Sequence, residues 1–412
     1  MALKILVIGA GPAGMIAAGN AALCGCDVTI ADINKRVGRK LMITGKGRCN
    51  ITNNCTPQDF IGNVPTNGRF LYSAINSFTP QDTIDFFESH GLNVKTERGS
   101  RVFPCSDKAV DVVDTLHNFI KETKCKLINE EITQLIVVDN TVIGVQTLSG
   151  RQILADKIII ATGGKSYPLT GSKGQGYKLA EQVGHTIVPV KPSLVSLISA
   201  NGYCLEMQGL SLKNVSISVI DDNTNKEIFT DFGEMLFTHY GVSGPIILSA
   251  SSHMRNMDNA TYTINIDLKP ALSTEQLDKR ILRDFDLFKN KDLANSLNKL
   301  LPATMIPVII KLSGIPFDTK CNSITKEQRS RLVSVLKKLP VNVRGFRPID
   351  EAIVTSGGVA VKEINPKTME SKLVGNLYFA GEVIDVDAYT GGFNLQIAYS
   401  TGYLAGISAS KY

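Results

Sequence analysis

Apolar residues follow two rhythms along this chain. Residues 4–9 (Lys-Ile-Leu-Val-Ile-Gly) form a short continuous apolar run, the pattern of a parallel strand buried on both faces. A glycine-rich turn follows, and then alanine-rich residues 13–23 predict a helix that ends near Gly25. Residues 28–32 predict the next strand, which completes a βαβ unit of about 30 residues with a right-handed crossover. Over residues 126–155 the pattern changes to short strands with turns at Asp139-Asn140 and Ser149-Gly150, an antiparallel meander leading into a second buried strand at 157–162. Alternation such as Val215-Ser216-Ile217-Ser218-Val219 predicts half-buried antiparallel strands between 190 and 265, and residues 273–339 show helical spacing. A third parallel-type strand at 376–380 and a small-residue helix over about 393–407 return near the end. The expected fold is α/β: a discontinuous Rossmann-like domain (1–190 and 341–412), a β-rich insert (191–270) and a helical part of the insert (271–340).

Composition narrows the class. With 43% hydrophobic and 20% charged residues the chain is a globular protein rather than a disordered or fibrous one. Residues 5–8 are broken by Gly9, Gly11 and Pro12 before they could form a signal segment, and no run approaches a membrane span, so a cytoplasmic protein without a membrane partner is expected. The eight cysteines have no Cys-x-x-Cys pair and no metal-ligand spacing with the five histidines; they read as reduced thiols, with no metal site. The net charge of +6 is local, since Lys35, Arg36, Arg39, Lys40, Lys46 and Arg48 fall within residues 33–58 with no acid, and the remainder balances at 38 basic against 38 acidic residues. A basic segment punctuated by glycine suits a bound anion such as a pyrophosphate, whereas a solvated basic loop is the plain alternative. No stable nucleic-acid partner is expected, and the sequence leaves the oligomeric state open.

Gly9-Ala10-Gly11-Pro12-Ala13-Gly14 matches G-x-G-x-x-G between a strand and a helix, with Asp32 closing the next strand. Gly9 permits the tight turn, Gly11 lets backbone N–H groups reach a pyrophosphate, and Gly14 lets helix and strand pack closely. Asp32 is then the acceptor for ribose hydroxyls. A second, nicotinamide-binding domain would need its own strand, glycine turn and acid, and none is present, which points to FAD. Ile158-Ile159-Ile160-Ala161-Thr162-Gly163-Gly164 and Leu377-Tyr378-Phe379-Ala380-Gly381-Glu382 are two further strands ending in small residues, the second with an acid suited to ribityl hydroxyls. Gly392, Asn394 and Leu395 open the last helix, whose N–H groups can stabilise negative charge on a reduced flavin.

Gly38-Arg39-Lys40-Leu41 and Thr44-Gly45-Lys46-Gly47-Arg48-Cys49-Asn50 resemble a signature of the bacterial NAD(P)/FAD-dependent oxidoreductase family that includes aminoacetone oxidases and 3-dehydro-bile-acid Δ4,6-reductases. The resemblance continues through Leu236 to Pro245, Thr355-Ser356-Gly357-Gly358-Val359 (Ser356 where glycine is common) and residues 379–396, and so spans essentially the whole chain. It implies a two-dinucleotide-binding-type FAD domain with an inserted β-barrel-like and helical unit. It also implies FAD contacts at Ala13, Asp32, Arg39, Lys40, Glu382, Asn394 and Leu395, with Ile132 meeting the adenine through its backbone.

Flavin carries the hard chemistry, so few residues need be acids or bases. Lys46 and Arg48 suit the pyrophosphate or the reduced flavin. His239 is the candidate proton donor by residue type, and Asp385, Asp387 and Tyr389 could protonate a substrate carbon or bind an amine; each could equally be structural. Cys49 lacks a redox partner. Asn50, Gly163 and Gly381 complete the expected cofactor contacts. Three readings stay open: a reductase that takes electrons from a transient NAD(P)H and saturates a small-molecule enone, a flavin amine oxidase that produces peroxide, and a non-enzymatic FAD-binding sensor or nucleic-acid-associated protein.

Overall fold

The computed structural model describes residues 2–411, which divide into two compact units, residues 2–193 with 348–411 and residues 194–347. The first is built on a five-stranded parallel sheet. Its centre is β1 (Lys4–Ile8), flanked by β2 (Asp27–Asp32) and Lys157–Ile160, with Lys126–Asn129 and Leu377–Phe379 at the edges. Ile5 to Ile8 are at most 5% exposed, as a strand covered on both faces requires. The register pairs Ile8 with both Ile160 and Ala31, and Ile160 with Phe379, so all these strands end at one edge. The glycine turn, Asp32, residues 161–164 and residues 380–382 are thereby gathered along that edge.

α1 (Pro12–Leu23) lies against the C-terminal helix Phe393–Ala409, and small residues set how closely. A Cβ on Gly402 would stand 2.4 Å from the Ala13 carbonyl oxygen, and one on Gly406 would stand 2.4 Å from that of Ala17. The meander forms as Ile132–Val138, Thr141–Thr147 and Gln152–Leu154, with Asp139 and Asn140 both at positive φ as a tight hairpin turn requires. Lys126–Asn129, expected in the meander, instead pairs parallel with β2. At a sheet edge it is mostly exposed and carries the same polar–apolar texture as a hairpin strand.

The second unit is a closed six-stranded barrel, Leu197–Ser199, Gly241–Ser243, Lys226–Thr238, Ser211–Asp221, Tyr262–Asp267 and Leu339–Phe346 in spatial order. Val215, Ile217 and Val219 are buried, as their alternation predicts. Helices Thr274–Leu287 and Lys326–Lys337, each opened by a capping box, lie between the last two strands of the chain order. The final strand closes the ring by pairing with Leu197–Ser199, so the insert extends beyond residue 340 to 347.

Candidate functional site

The glycine turn is held from three sides. Gly9 N–H donates to the Ala31 carbonyl at 2.8 Å, Ala10 N–H to Asp32 Oδ2 at 2.7 Å, and Gly38 N–H to the Ala10 carbonyl at 2.9 Å. Gly14 is required sterically, since its Cβ would stand 1.9 Å from the Gly9 oxygen. Gly11 differs: a Cβ there meets nothing within 4 Å. It caps α1 without a side chain, and the first turn holds no acid, so the helix start offers unpaired N–H groups and a positive dipole to that open space. Such a place suits a phosphate.

The basic segment folds over the strand ends, and two of its cations are committed to carboxylates. Lys40 Nζ binds both Glu382 oxygens (2.7 and 2.9 Å) and Ser166 Oγ (2.7 Å). Glu382 also accepts from Thr355 N–H at 2.8 Å. Arg48 contacts Glu97 and Asp107 at 2.5 Å each and lies 4.2 Å above the Phe103 ring, while Lys95 reaches Asp107 at 2.7 Å. Hydrogen bonds from Arg48 hold the Glu97 carboxyl below the usual range, and those from Lys95 and Arg48 do so for Asp107. Lys46 and Arg39 are exposed. Burial pushes the Cys49 thiol up to about 12, which keeps it protonated.

The loop before the C-terminal helix is similarly fixed. Asn394 accepts from Ala388 N–H at 2.9 Å and donates to the Ala388 and Tyr389 carbonyls at 2.7 and 3.2 Å. Asp387, 1% exposed, accepts from the Ser193 and Ser356 hydroxyls at 2.7 and 2.9 Å. Asp385, 8% exposed, accepts from Asn67 Nδ2 at 2.9 Å. Gly392, at φ +99, allows the helix to start where a Cβ would stand 2.4 Å from the Thr52 oxygen.

The family model described as HI0933-like protein Rossmann domain matches residues 3–408. The chain belongs to that family. A curated relative from Clostridium scindens, named 3-dehydro-bile acid delta(4,6)-reductase, is 30% identical over 413 residues, 99% of both chains. Another from Haemophilus influenzae, named ribosomal RNA dihydrouridine synthase, is 32% identical over 98% of both chains, and one of the same name from Escherichia coli is 31% identical over 97% of this chain and 96% of its own. Among solved structures, a 3-ketosteroid-Δ4-(5α)-dehydrogenase from Rhodococcus jostii aligns over 100% of this chain and 97% of its own, with a TM-score of 0.55 and 13% identity, a likeness of fold. The protein is an FAD-dependent oxidoreductase.

This flavoenzyme's strand-end edge fits the cofactor. Besides the open space at Gly11, the buried Asn50 Oδ1 and the hydroxyls of Thr162, Ser172 and Tyr177 lack hydrogen-bond partners within the protein, which is costly unless a polar group meets them. Burial, with Glu382 and Asp385 nearby, pushes the Tyr177 hydroxyl up. Gly163 and Gly381 both take positive φ at strand ends, and the Ile132 carbonyl accepts from Gln175 at 2.9 Å. Leu395 is half-buried in the core of the same unit.

The geometry redistributes several expected roles. Lys40 and Arg48 bind carboxylates, and Asn394 holds the 388–389 loop. His239 occupies an exposed hairpin turn of the barrel, its ring edge-on to Tyr240 at 4.9 Å. Thr355 and Ser166, which orient Glu382, carry no charge and fit no chemical pattern in the sequence. Thr355 opens the Thr355–Val359 motif that carries part of the family resemblance, the signal that points to it. Among the described residues no helix is long and apolar enough to cross a membrane.

Proposed function

We propose that the enzyme reduces a C=C bond conjugated to a carbonyl, with electrons from NAD(P)H. The observation that carries this is the agreement between relatives of different substrate. A bile acid Δ4,6-reductase and a dihydrouridine synthase are both named for saturating such a bond, and this chain aligns with each over nearly its whole length. Bound FAD supplies hydride transfer. The helix start at Gly11 to Gly14 would hold the pyrophosphate, Asp32 the ribose hydroxyls, and Glu382, fixed by Lys40, Ser166 and Thr355, the ribityl chain. The N–H groups opening the C-terminal helix at Gly392 would stabilise negative charge on the reduced flavin.

Protonation at the carbon next to the carbonyl falls to the 385–389 loop. Asp387 is spent on two hydroxyls, which makes it a support. Tyr389 is half-buried, with its N–H on the Asn63 carbonyl (3.1 Å) and its own carbonyl held by Asn394, so it is the acid we assign.

A specific observation favours uracil in RNA over a steroid as the substrate. Two relatives named for ribosomal RNA are 32% and 31% identical, beside 30% for the bile acid reductase, whereas the sequence alone leads to no stable nucleic-acid partner. Lys46, Arg98 and Arg101 are exposed on the basic loop and the hairpin beside it, where Arg48 and Arg101 share the Phe103 ring. Those cations suit phosphates. The test is anaerobic: NADH or NADPH is added to the FAD-loaded protein, the flavin band is followed, and the reduced enzyme is offered a steroid dienone or a uridine-containing ribosomal RNA transcript. Bleaching by NAD(P)H and recovery with either acceptor supports the reading and identifies the substrate class. Bleaching by aminoacetone alone, with peroxide formed in air, overturns it in favour of an amine oxidase.

A further inference from the structure

Asn34 lies two residues beyond Asp32 and belongs to none of the motifs above. Its side-chain amide makes three hydrogen bonds. Nδ2 donates to Asp32 Oδ1 at 3.0 Å and to the Thr170 carbonyl at 3.1 Å, and Oδ1 accepts from Arg39 Nη1 at 2.6 Å. Its backbone N–H donates to the same Asp32 oxygen at 2.7 Å. One short side chain thus joins the end of β2, the basic segment and the loop at residues 165–174.

That loop is fastened separately at its ends. Lys165 and Ser166 N–H both donate to Thr355 Oγ1, at 2.8 and 3.1 Å, and Gly174 N–H donates to the Gly164 carbonyl at 3.2 Å. Between these anchors Leu169 is 88% exposed, so its side chain adds little apolar packing to the loop. Two further observations show that the approach to Asn34 is built. A Cβ on Gly171, which has φ +106, would stand 2.4 Å from Asn34 Nδ2, so glycine alone lets the loop come this close. The inner hydroxyl of Ser172 is buried, lacks a protein partner, and would stand 3.3 Å from a Cβ on Gly163, at the end of a cofactor-facing strand.

We propose that Asn34 is a clasp for the adenosine end of the FAD site, a positioning residue that acts through Asp32 and the 165–174 loop. Asp32 receives two N–H bonds from Asn34 on one oxygen and one from Ala10 on the other. Its carboxylate is thereby fixed in orientation and keeps lone-pair capacity for a hydroxyl. The same amide closes the loop over that carboxylate. Asparagine is the residue for the task because it donates to a carboxylate and a carbonyl while accepting from a guanidinium. Aspartate would set two carboxylates against each other, and alanine would release the loop.

The proposal rests on FAD binding and is independent of the substrate. It is tested by loading wild type, N34A, N34D and G171A with FAD, following release by the regain of flavin fluorescence on dilution, and melting the apo and loaded forms. Release is expected to quicken about tenfold in N34A, the effect of losing roughly one net hydrogen bond to a charged group, and further in N34D. G171A should shift in the same direction. Both forms should lose thermal stability, the loaded forms more than the apo forms. Wild-type release rates in both Asn34 variants overturn the clasp. So does an equal loss of stability in apo and loaded forms, which would make Asn34 a support of the fold alone. A wild-type chain that takes up no FAD overturns the cofactor assignment and the clasp with it, so the two failures are distinguishable.

Discussion

Gly11 and Gly14 stand three residues apart in one motif, yet the structure separates their roles, and Gly→Ala at each is expected to fail differently. A Cβ at position 14 stands 1.9 Å from the Gly9 oxygen, 3.1 Å from its carbon and 3.3 Å from Val7 Cγ1. Two of those atoms are backbone in a buried turn, so α1 must move off β1. An overpacked site of this kind costs roughly 1–3 kcal/mol or more, before any loss of cofactor. At position 11 the backbone sits at φ −81, ψ −178, which alanine adopts without strain, and its Cβ meets nothing. Alanine is a poorer N-cap than glycine by about 1 kcal/mol at most, and the stiffer unfolded chain returns about 0.4–1 kcal/mol, so apoprotein stability should change by less than about 1 kcal/mol. FAD affinity should fall sharply, because the methyl occupies the approach to the helix start. Losing one or two charge-assisted N–H contacts is worth roughly 2–4 kcal/mol, or about 30- to 1000-fold. Urea denaturation of the apo forms and flavin titration of each variant measure the two quantities. If G11A destabilises the apoprotein as much as G14A, or binds FAD as wild type does, the assignment of Gly11 to the cofactor and Gly14 to the fold is wrong.

Other outcomes follow from the same geometry. T355V leaves the N–H groups of Lys165 and Ser166 without their acceptor at a fully buried residue, and should cost roughly 2–4 kcal/mol in chemical denaturation. R48M removes the main cation that depresses Glu97 and the one that, after Lys95, depresses Asp107. Because depressed carboxyls give stability above their unfolded pKa that is lost as pH falls through the folded one, the acid limb of the wild-type stability curve should be steeper than that of R48M. His185 is buried between Glu363 and Ser371, and burial outweighs Glu363 to hold it below its ordinary value of 6.5. The unfolded chain therefore takes up the proton first, and stability should decline as pH drops through about 6.5, a dependence that H185Q abolishes in pH-resolved melting. Cys49 should resist alkylation at pH 8 in the native protein while the exposed Cys24 and Cys105 react, as mass spectrometry of trapped thiols will read.

The distribution of legibility in this chain has a physical basis. What sequence displays is what repeats or what steric necessity enforces: the apolar run at β1, the Gly9–Gly14 turn, the alternation at Val215–Val219, and the small residues that end Lys157–Ile160 and Leu377–Phe379. These set the parallel sheet, the barrel and the edge where the cofactor belongs. What it does not display is how a charge is spent. Arg48 reads as an anion ligand because its neighbours in sequence are cations, yet its partners Glu97 and Asp107 come from residues about 50 and 60 positions away. Asp387 reads as an acid poised beside a flavin, but Ser193 and Ser356 reach it from strands remote in sequence. His239 qualifies by residue type alone, and it stands exposed on a turn of the second unit. Each of these cases turns on a long-range hydrogen bond or on exposure, which no local pattern encodes. The reverse also holds. Thr355 and Asn34 carry no charge and match no chemical template, so sequence passes over them, yet each ties two or more distant segments together at the cofactor edge. Polar neutral residues that saturate their hydrogen bonds across such distances are therefore the group in which further cofactor-positioning residues of this enzyme should be sought, ahead of its remaining histidines and exposed lysines.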